Sequence, residues 1–329
     1  MPSLRVGIVS DDDGRPKWNF EIDCHSRLQP AARRSILVSG TDRETHRGNP
    51  MSADLAEFNE SRFPCDPSMQ EEYERRVALG RDRMSRATAV VCGLARDVRD
   101  SLPGMSARIE QLGAGFRDYR VVIYESDSRD GTLGYLWSWQ QENRRVDVLS
   151  DILGRPRWGQ VQDRERMVHM AECRNRYLTH ALREYAEFEY LIVVDTDLPE
   201  GFSYDGVANT FGQNDWDMVG SNGLLFHSYG SYSRAPMFFD AWAFRRPGET
   251  QVQPYEVLNR LSFQRGEELV PVWSCFGGIA IYRMECFRGG VLYGGDDCEH
   301  AVLHRRLRQQ GYDRQFLNPS QMVLYSAQV

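Results

Sequence analysis

The sequence predicts an α/β fold, a mixed and mostly parallel sheet with helices on both faces. Strands and amphipathic helices alternate from residue 87 onward, and repeated β-α units build a parallel sheet whose ligands bind at the carboxyl ends of the strands. The stretch EYLIVVDTDL (Glu189 to Leu198) is apolar and rich in β-branched side chains, which is typical of a strand buried on both faces. This strand runs directly into two carboxylates, where a ligand site is expected.

The first seventy residues differ from the rest, and we expect a small N-terminal β extension over residues 1–70 and a main domain over residues 71–329. LRVGIVS and KWNFEIDC flank an Asp-Gly turn, and Trp18, Phe20 and Ile22 alternate along the second of them, so this segment predicts a hairpin. SILVSG is a candidate third strand, and the polar stretch after it predicts a loop or arm.

The main domain is expected to begin with a helix over Glu71–Ala87. The elements expected after it are strands at 88–95, 119–125, 145–150 and 189–198, and helices through Ile109 and Leu112, through Leu133, Leu136 and Trp137, and from about Arg164 to Tyr185. Later come short strands near DMVGS, FFDAWAF and VPVWSCFGGIAIY, and a last helix from Asp297 to about Gln310.

The composition is that of an ordinary globular protein, with 41% hydrophobic and 26% charged residues over 329 positions. The formal net charge of -7 argues against a general nucleic-acid binder, since such proteins usually carry a basic face. No apolar run approaches the roughly 18 residues that span a bilayer, and MPSLRVGIVSDDDG contains no signal-peptide core. We therefore expect a soluble, cytoplasmic protein.

Cysteine and lysine usage narrows the possible chemistry. Seven cysteines without a CxxC pair indicate free thiols in a reducing compartment, and Cys92, Cys275 and Cys286 lie in apolar surroundings that suit buried thiols. Lys17 is the only lysine, which excludes a P-loop or kinase lysine in the main domain. The arginine fork that replaces it suits phosphate, and the bias towards arginine indicates a GC-rich, bacterial genome.

Asp195 and Asp197 stand one residue apart at the carboxyl end of the predicted buried strand. Two negative charges this close repel unless a cation lies between them. Mg²⁺ and Mn²⁺ are the hard cations that prefer carboxylate oxygens. The pair therefore predicts a site for one of these ions.

Further polar groups follow strand ends at the same edge of the predicted sheet. Arg96 ends the first strand of the main domain, although a lone arginine there is more often a surface or capping residue. In YESDSRDGT, Glu125 and Asp127 are able to accept hydrogen bonds from a ribose or a base. The alternative is a helix-start turn capped by Asp130, and both interpretations can hold together.

The segment RERMVHMAECRNRYL places Arg166 and Arg174 eight residues apart, about two helical turns, so that they share one helix face. Asn175 follows directly. Because this helix precedes the strand that ends in carboxylates, the arginines are placed to reach a diphosphate. A solvated helix face is the equal alternative.

The segment GGDDCEHAVLH predicts a helix start, with Asp296 or Asp297 as the cap. Asp296, His300 and His304 are expected on one face at i, i+4 spacing. A zinc site of the HxxxH kind is an alternative here. It ranks below the hard-metal site because two carboxylates elsewhere already define that site.

Taken in order, these motifs resemble the plan of nucleotide-sugar glycosyltransferases with the GT-A fold, a Rossmann-like architecture. The order is a strand-ending arginine, YESDSRDGT, an Arg-Asn helix, VVDTDL and a late GDDCEH. The segments SYSRAPMFFDAWAFR and VWSCFGGIAIY resemble the cryptococcal capsule α-1,3-mannosyltransferase group within that fold. The resemblance covers roughly residues 87–329. It does not extend to the first seventy residues, and the membrane anchor of the fungal enzymes has no counterpart here.

The resemblance implies a role for each matching position. Binding of the donor falls to Arg96, Glu125, Asp127, Arg166, Arg174, Asn175, Asp195 and Thr196. The divalent ion, Mn²⁺ or Mg²⁺, falls to Asp195, Asp197 and His300. Catalysis falls to Asp297 and Glu299, and contact with the acceptor or the sugar to Asp240, Trp242, Gly277 and Gly278.

The implied function is metal-dependent transfer of a sugar from GDP-mannose or a UDP-sugar to an acceptor hydroxyl that the sequence does not define. A sugar-1-phosphate nucleotidyltransferase is an alternative, but GLARDVRDSLPG is a poor match to the Gly-rich, Lys/Arg-bearing loop of such enzymes. A non-catalytic nucleotide-sugar binding protein is a further alternative. Intact Asp195, Asp197 and Asp297 argue against it.

Overall fold

The computed structural model describes residues 4–10, 16–22, 57–159, 163–229, 232–233, 236–240 and 242–327. Strand β1 (Leu4–Ser10) pairs antiparallel with β2 (Pro16–Ile22), as the predicted hairpin requires. The Asp-Gly turn, the candidate strand SILVSG and most of the predicted arm lie outside the described residues.

The main body alternates strands and helices in the predicted order. The helices are α1 (Gln70–Met84), α2 (Leu102–Ala114), α3 (Thr132–Glu142), α4 (Arg164–Glu184), α5 (Tyr204–Gly212), α6 (Tyr255–Leu258) and α7 (Glu299–Gln309). The strands are β3 (Thr88–Ala95), β4 (Asp118–Ser126), β5 (Val146–Asp151), β6 (Tyr190–Asp195), β7 (Met218–Tyr229), β8 (Tyr232–Ser233), β9 (Met237–Phe238), β10 (Val270–Pro271), β11 (Ile279–Arg283) and β12 (Gln315–Ala327). Short 3-10 turns lie at Glu60–Arg62 and Met284–Phe287.

These strands form one mixed sheet in the order β10-β12-β7-β11-β6-β3-β4-β5, with β8 and β9 paired to β7. Strands β6, β3, β4 and β5 are mutually parallel, and β12 is parallel to β7. Strand β11 runs antiparallel to both of its neighbours. The predicted fold class, a mixed and mostly parallel sheet with helices, is confirmed. The reversal of β11 brings its amino end to the edge where β3, β4 and β6 end.

The central strands are buried on both faces, as their composition predicted. In β6, Ile192 and Val194 join one hydrophobic cluster, while Leu191 and Val193 join the cluster on the other face. Successive side chains of a strand point to opposite faces, so both faces must be covered by apolar groups. Helices α2 and α5 contribute to the first cluster and α4 and α7 to the second. The carboxyl end of β6 is therefore held rigidly.

The segment that precedes α1 packs against the main body. Phe58 is buried, and Glu60 accepts hydrogen bonds from Arg265 Nη2 at 2.6 Å and from Ser203 Oγ at 2.8 Å. Residues from 57 onward are thus tied to the main body through a buried arginine. The division of the chain at residue 70 stays a prediction.

Two expectations drawn from composition also concern the described chain. Cys92, Cys275 and Cys286 are buried and unpaired, as predicted, and the other cysteines that the structure describes are also free and buried. Within the described ranges, no helix has both the length and the apolar character that a membrane crossing requires.

Helices α1 and α5 approach so closely that a glycine is required at their contact. A Cβ built on Gly80 would lie 1.7 Å from the carbonyl oxygen of Ala208, and backbone cannot move aside as a side chain can. Exposed Gly134 in α3 has no atom within 4 Å of the same position. This pair separates the effect of packing from the effect of helix propensity.

We expect Gly80→Ala to destabilise the protein by about 3 kcal/mol or more, because the added methyl group overpacks a helix contact. Gly134→Ala should instead stabilise by about 0.5 to 1 kcal/mol, since alanine costs less backbone entropy in a helix. Urea unfolding of both variants measures the difference. Equal effects would show that α1 and α5 do not approach each other in this way.

Candidate functional site

The two aspartates of VVDTDL lie at the carboxyl end of β6. Asp195 is half-buried, accepts a hydrogen bond from Tyr325 Oη at 3.4 Å, and has its pKa raised to about 7 by burial and by the neighbouring Asp197 carboxylate. Asp197 is exposed. Between them Thr196 is buried, and its Oγ1 donates to the carbonyl oxygen of Leu94 at 2.5 Å. Thr196 therefore anchors the turn, and the carboxylates flank it.

Arg174 is a buried bridge between this pair and helix α7. Its Nε donates to Glu299 Oε1 at 2.9 Å, its Nη1 donates to Tyr177 Oη at 3.3 Å, and its Nη2 lies 3.7 Å from Asp195 Oδ1. The alternative of a solvated helix face is wrong for this residue, because only 4% of its side chain is exposed.

Arg166 lies two turns earlier on α4 and is differently engaged. Its guanidinium stacks over the ring of Trp242, 4.5 Å from the centroid. Burial lowers the pKa of Arg166, while the charges of Glu299 and Asp195 act in the opposite direction. Among the described residues, no carboxylate lies within ion-pairing distance of Arg166. Arg166 therefore adds an uncommitted cation to the environment of Asp195.

Arg96, Glu125 and Asp127 come together at the ends of β3 and β4. Arg96 donates to the carbonyl oxygens of residues 155–156 and lies 4.0 Å from Asp127. Asp127, at φ 58°, accepts the backbone N–H groups of residues 153–155. Glu125 is buried and accepts from Ser150 Oγ at 2.6 Å and from Ser128 N at 2.8 Å. Arg96 and Asp127 therefore hold the loop after β5, while Glu125 joins β5 to the turn after β4, and the predicted contacts of all three with a nucleoside stay predictions.

Asn175 forms its side-chain hydrogen bonds with the backbone of Tyr293 and not with the two aspartates. Its Nδ2 donates to the carbonyl oxygen of Tyr293 at 3.2 Å, and its Oδ1 accepts from Tyr293 N at 2.8 Å. Both ends of the amide thus hold the segment that leads to α7. In this structure Asn175 positions that segment, and its donor role stays a prediction.

The acidic cluster before α7 differs from the prediction in two ways. The N-cap residue of α7 is Cys298 and makes no side-chain capping bond, so neither Asp296 nor Asp297 is the cap. Asp296 is exposed and pairs with Arg305, so it does not share the face of the buried histidines. The helix begins two residues later than expected, which moves both aspartates into the preceding turn. Asp297 instead accepts from Arg245 Nη2 at 3.2 Å on each oxygen.

The two predicted histidines are buried one turn apart but differ in their partners. Both ring nitrogens of His304 are hydrogen-bonded, to Ser274 Oγ and to Tyr282 Oη, each at 2.8 Å. His300 stacks on Phe276 with 3.9 Å between ring centroids, and neither of its nitrogens has a hydrogen-bond partner in the described chain.

No group of three or more His, Cys, Asp or Glu side chains is arranged to hold a metal ion in the parts of the chain that the structure describes. The HxxxH zinc alternative therefore fails, since both nitrogens of His304 are committed elsewhere. His300 Nε2 lies 3.8 Å from Glu299 Oε1, next to the Arg174 bridge. Its role as a third ligand stays a prediction.

Of the residues predicted for the acceptor or the sugar, Gly277 and Gly278 belong to the segment between β10 and β11, Asp240 bonds to that segment, and Trp242 lies against Arg166. Asp240 is buried, accepts from Phe276 N at 2.8 Å, and has its pKa raised by burial to about 6. Gly277 and Gly278 have φ of 59° and 91°, and a Cβ on Gly278 would lie 2.6 Å from Tyr325 Oη. Glycine is needed so that this segment can pass the aspartate pair.

Two cavities flank the site. One of about 340 Å³ is lined by Asp297 and by residues of α7 and the 245–274 region. The other, of about 880 Å³, lies between β5 and α4, and of the predicted site residues in the described chain only Asn175 lines it. The smaller cavity is thus the one that adjoins the acidic cluster.

The site also contains residues that the sequence did not single out. Tyr325 reaches Asp195 from β12, 130 positions along the chain, and no local pattern marks such a contact. Arg245, the partner of Asp297, lies in the segment SYSRAPMFFDAWAFR that carried part of the resemblance. That segment was the available signal for Arg245, while Tyr325 required the sheet order.

Comparison with known proteins gives distant structural likenesses. No protein-family model and no curated protein matches the sequence. The chain is similar in structure to mannosyltransferase PcManGT from Pyrobaculum calidifontis in complex with GDP-Man and Mn²⁺, with 14% identity, a TM-score of 0.44 and coverage of 78% of this chain and 66% of that chain. For S. aureus TarS 1–349 with UDP-GlcNAc the values are 13%, 0.42, 74% and 59%.

GalNAc-T7 with UDP, GalNAc and Mn²⁺ is likewise similar, with 11% identity, a TM-score of 0.42 and coverage of 80% of this chain and 53% of that chain. The chain therefore spans about half to two thirds of the length of these proteins. Likenesses this distant do not transfer a donor, an acceptor or a metal. The function must be argued from the residues of this chain.

The buried carboxylate of Asp240 makes a prediction about stability and pH. Its pKa is about 6 in the folded protein against 3.8 ordinarily, so the folded state binds this proton more tightly than the unfolded chain does. The stability of the wild type relative to Asp240→Asn should therefore rise by about 1 kcal/mol between pH 8 and pH 5. Urea unfolding of both proteins at the two pH values tests this. If the two proteins show the same pH dependence, the pKa of Asp240 is not raised in the folded state.

Proposed function

We propose that the chain is a metal-dependent glycosyltransferase that moves a sugar from a nucleoside-diphosphate sugar, GDP-mannose or a UDP-sugar, to an acceptor hydroxyl. The observation that carries the proposal is the pair Asp195 and Asp197 at the end of a buried central strand, within the electrostatic influence of Arg166, which has no carboxylate partner among the described residues. Ligands of parallel α/β sheets bind at this edge. Two carboxylates and a free guanidinium are complementary to a divalent ion and a diphosphate.

The donor set supports Mn²⁺ or Mg²⁺ held by Asp195 and Asp197. The raised pKa of Asp195 reflects burial and repulsion from Asp197, and a cation between the two carboxylates would relieve that repulsion. Mg²⁺ is commonly bound by one or two carboxylates together with substrate phosphates, so two protein ligands suffice. The unsatisfied ring nitrogens of His300 make it the candidate for a third.

The two arginines of α4 have different roles at the proposed donor site. Arg174 is already bonded to Glu299 and lies beside Asp195, so it positions these carboxylates. Arg166 has its guanidinium on Trp242 and no carboxylate partner in the described chain, so we assign the diphosphate to Arg166. Arg96 and Asp127 shape the loop after β5, and Glu125 joins the end of β5 to the turn after β4, so we place the nucleoside at these loops.

The leaving group of the reaction is a nucleoside diphosphate. A bound divalent ion supplies charge neutralisation at the diphosphate oxygens as the bond to the sugar breaks. The chain's own residues must then hold the acceptor hydroxyl and receive or stabilise charge. Asp297 lines a cavity and is half-buried, so it is the better placed of the two predicted catalytic carboxylates. Glu299 is buried against Arg174 and acts as a positioning residue.

Asp197→Asn tests the metal assignment while preserving the shape of the side chain. We expect Mn²⁺-dependent nucleotide binding to weaken by more than the roughly 10- to 100-fold that the loss of an outer-shell partner costs. Calorimetric titration of UDP and GDP with and without Mn²⁺ measures this. Asp215→Asn is the control, because Asp215 is 90% exposed before β7 at the opposite edge of the sheet. If neither Mn²⁺ nor Asp197→Asn changes the affinity for nucleotide, the proposed metal site is rejected.

Asp297→Asn tests the acid-base assignment. We expect kcat to fall by roughly 10² to 10⁴ with unchanged nucleotide affinity, since a general base acts on the acceptor and not on the donor. Loss of a helix cap is not a competing cause, because Cys298 is the N-cap of α7. Single-turnover rates should be compared with those of Asp313→Asn, an exposed carboxylate beyond the far end of α7. A rate near that of the wild type would place the base elsewhere.

A further inference from the structure

The smaller cavity has a charge pattern that the donor site does not use. It is lined by Arg245, Arg305 and Arg308 together with Glu249 and Asp297. Each of these carboxylates already has a guanidinium partner, Glu249 in Arg246 and Asp297 in Arg245. Arg305 in turn pairs with Asp296, which leaves Arg308 as the cavity arginine without a carboxylate partner among the described residues.

Arg308 is the cation left without a counterion. Its Nη1 donates to the carbonyl oxygen of Trp273 and to Gln315 Oε1, and its guanidinium stacks on the Trp273 ring at 5.0 Å. In the described part of the protein, no carboxylate lies within ion-pairing distance of it. Burial and the neighbouring Arg305 lower the pKa of Arg308 to about 10. Arg305, one turn away on α7, has its own partner in Asp296, so Arg308 is the guanidinium group that lacks a counterion in this part of the structure.

Arg245 supplies a second, independent sign of an incomplete site. Its side chain is 3% exposed, and its Nε has no hydrogen-bond partner in the described chain, although it lines the cavity. A buried donor without a partner costs about 1 to 3 kcal/mol, so such atoms are rare unless a ligand or water completes them.

In the larger cavity, between β5 and α4, each lining arginine has a carboxylate partner. There Arg155 pairs with Glu172 at 3.4 Å and Arg176 with Asp151 at 3.7 Å. Arg183 pairs with its neighbour Glu184 at 2.6 Å. No cation is left over among the described residues that line it. Each cavity is lined by three arginines and two carboxylates, and an arginine without a carboxylate partner, Arg308, is found among the described residues of the smaller one.

We propose that the smaller cavity binds an anionic group of the acceptor, a phosphate or a carboxylate, between Arg305 and Arg308. The assignment to the acceptor rests on the proposed function, because the cavity opens beside Asp297. Guanidinium forks bind phosphate and carboxylate with paired hydrogen bonds, and a bound anion would supply the counterion that Arg308 lacks among the described residues. The acceptor is therefore a charged molecule that carries both a hydroxyl and an acidic group.

The experiment titrates glucose 6-phosphate, glucuronate and glucose into the protein in the presence of saturating UDP or GDP and Mg²⁺, so that the diphosphate site is filled. We expect the two anions to bind about tenfold or more tightly than glucose, as a charge-assisted hydrogen bond allows. Comparison of the phosphate arm with the carboxylate arm identifies the preferred acid. Equal affinity for the anions and for glucose would overturn the proposal.

Arg305→Gln should weaken anion binding by about tenfold, since it removes one exposed fork without opening the core. Arg86→Gln is the matched control, because Arg86 is also exposed and paired with an aspartate, Asp82. Arg308→Lys keeps the charge but loses the fork, and it should also weaken binding. Anion affinity that both cavity variants leave at the wild-type value would overturn the proposal.

The nucleotide affinity of the same proteins separates this inference from the proposed function. If the protein binds nucleotide but not the anions, the transferase proposal stands and the proposed anion site in the smaller cavity is rejected. Anion binding that depends on Arg305, in a protein that binds neither UDP nor GDP with Mn²⁺ or Mg²⁺, would overturn the transferase proposal and with it the assignment of the anion to an acceptor.

Discussion

Arg174 lies almost fully buried between two carboxylates, bonded to Glu299 through Nε and 3.7 Å from Asp195 through Nη2. It joins α4, β6 and α7 at one point, so the positions of the aspartate pair and of the acidic cluster depend on it. Removing one member of a buried ion pair typically costs about 3 to 5 kcal/mol, because the partner charge is left uncompensated. Asp195, Asp197 and Glu299 thus lie around one buried guanidinium group, and the divalent cation of the proposed function would compensate their remaining negative charge.

The reversed strand β11 extends the effect of this bridge to the rest of the sheet. Because β11 is antiparallel to β6, its amino end meets the carboxyl end of β6, and Asp195 N donates to the carbonyl oxygen of Gly278 at 2.9 Å. Strands β7 and β12 then bring Tyr325 to Asp195 from the other side. Under the proposed function the parallel half of the sheet would supply the donor site and the mixed half the acceptor side, and Asp195 lies where the two halves meet.

Local sequence patterns predicted the features that depend only on neighbouring residues, namely the buried strand, its terminal carboxylates and the shared helix face. The apolar run before Asp195 specified a buried strand with carboxylates at its end, and spacing alone put Arg166 and Arg174 on one helix face. His300 and His304 show the limit, since both are buried histidines one turn apart on the same helix. Only the fold supplies Ser274 and Tyr282 to His304 and leaves the nitrogens of His300 without hydrogen-bond partners in the described ranges. The predicted cap of α7 was wrong for a related reason. Asp297 and Asp296 are held in the turn before the helix by ion pairs with Arg245 and Arg305, which the local sequence does not reveal.

Helix α7 connects the donor side to the acceptor side under the two proposals. Its inner face holds Glu299 against Arg174, while Arg305 and Arg308 line the cavity on another face, so donor and acceptor sites would share one rigid element. Asp297 and the two arginines line the same cavity, and Asp296, the neighbour of Asp297, already accepts a hydrogen bond from Arg305. One acceptor molecule would therefore present its hydroxyl to Asp297 and its acidic group to the arginines within a single cavity of about 340 Å³.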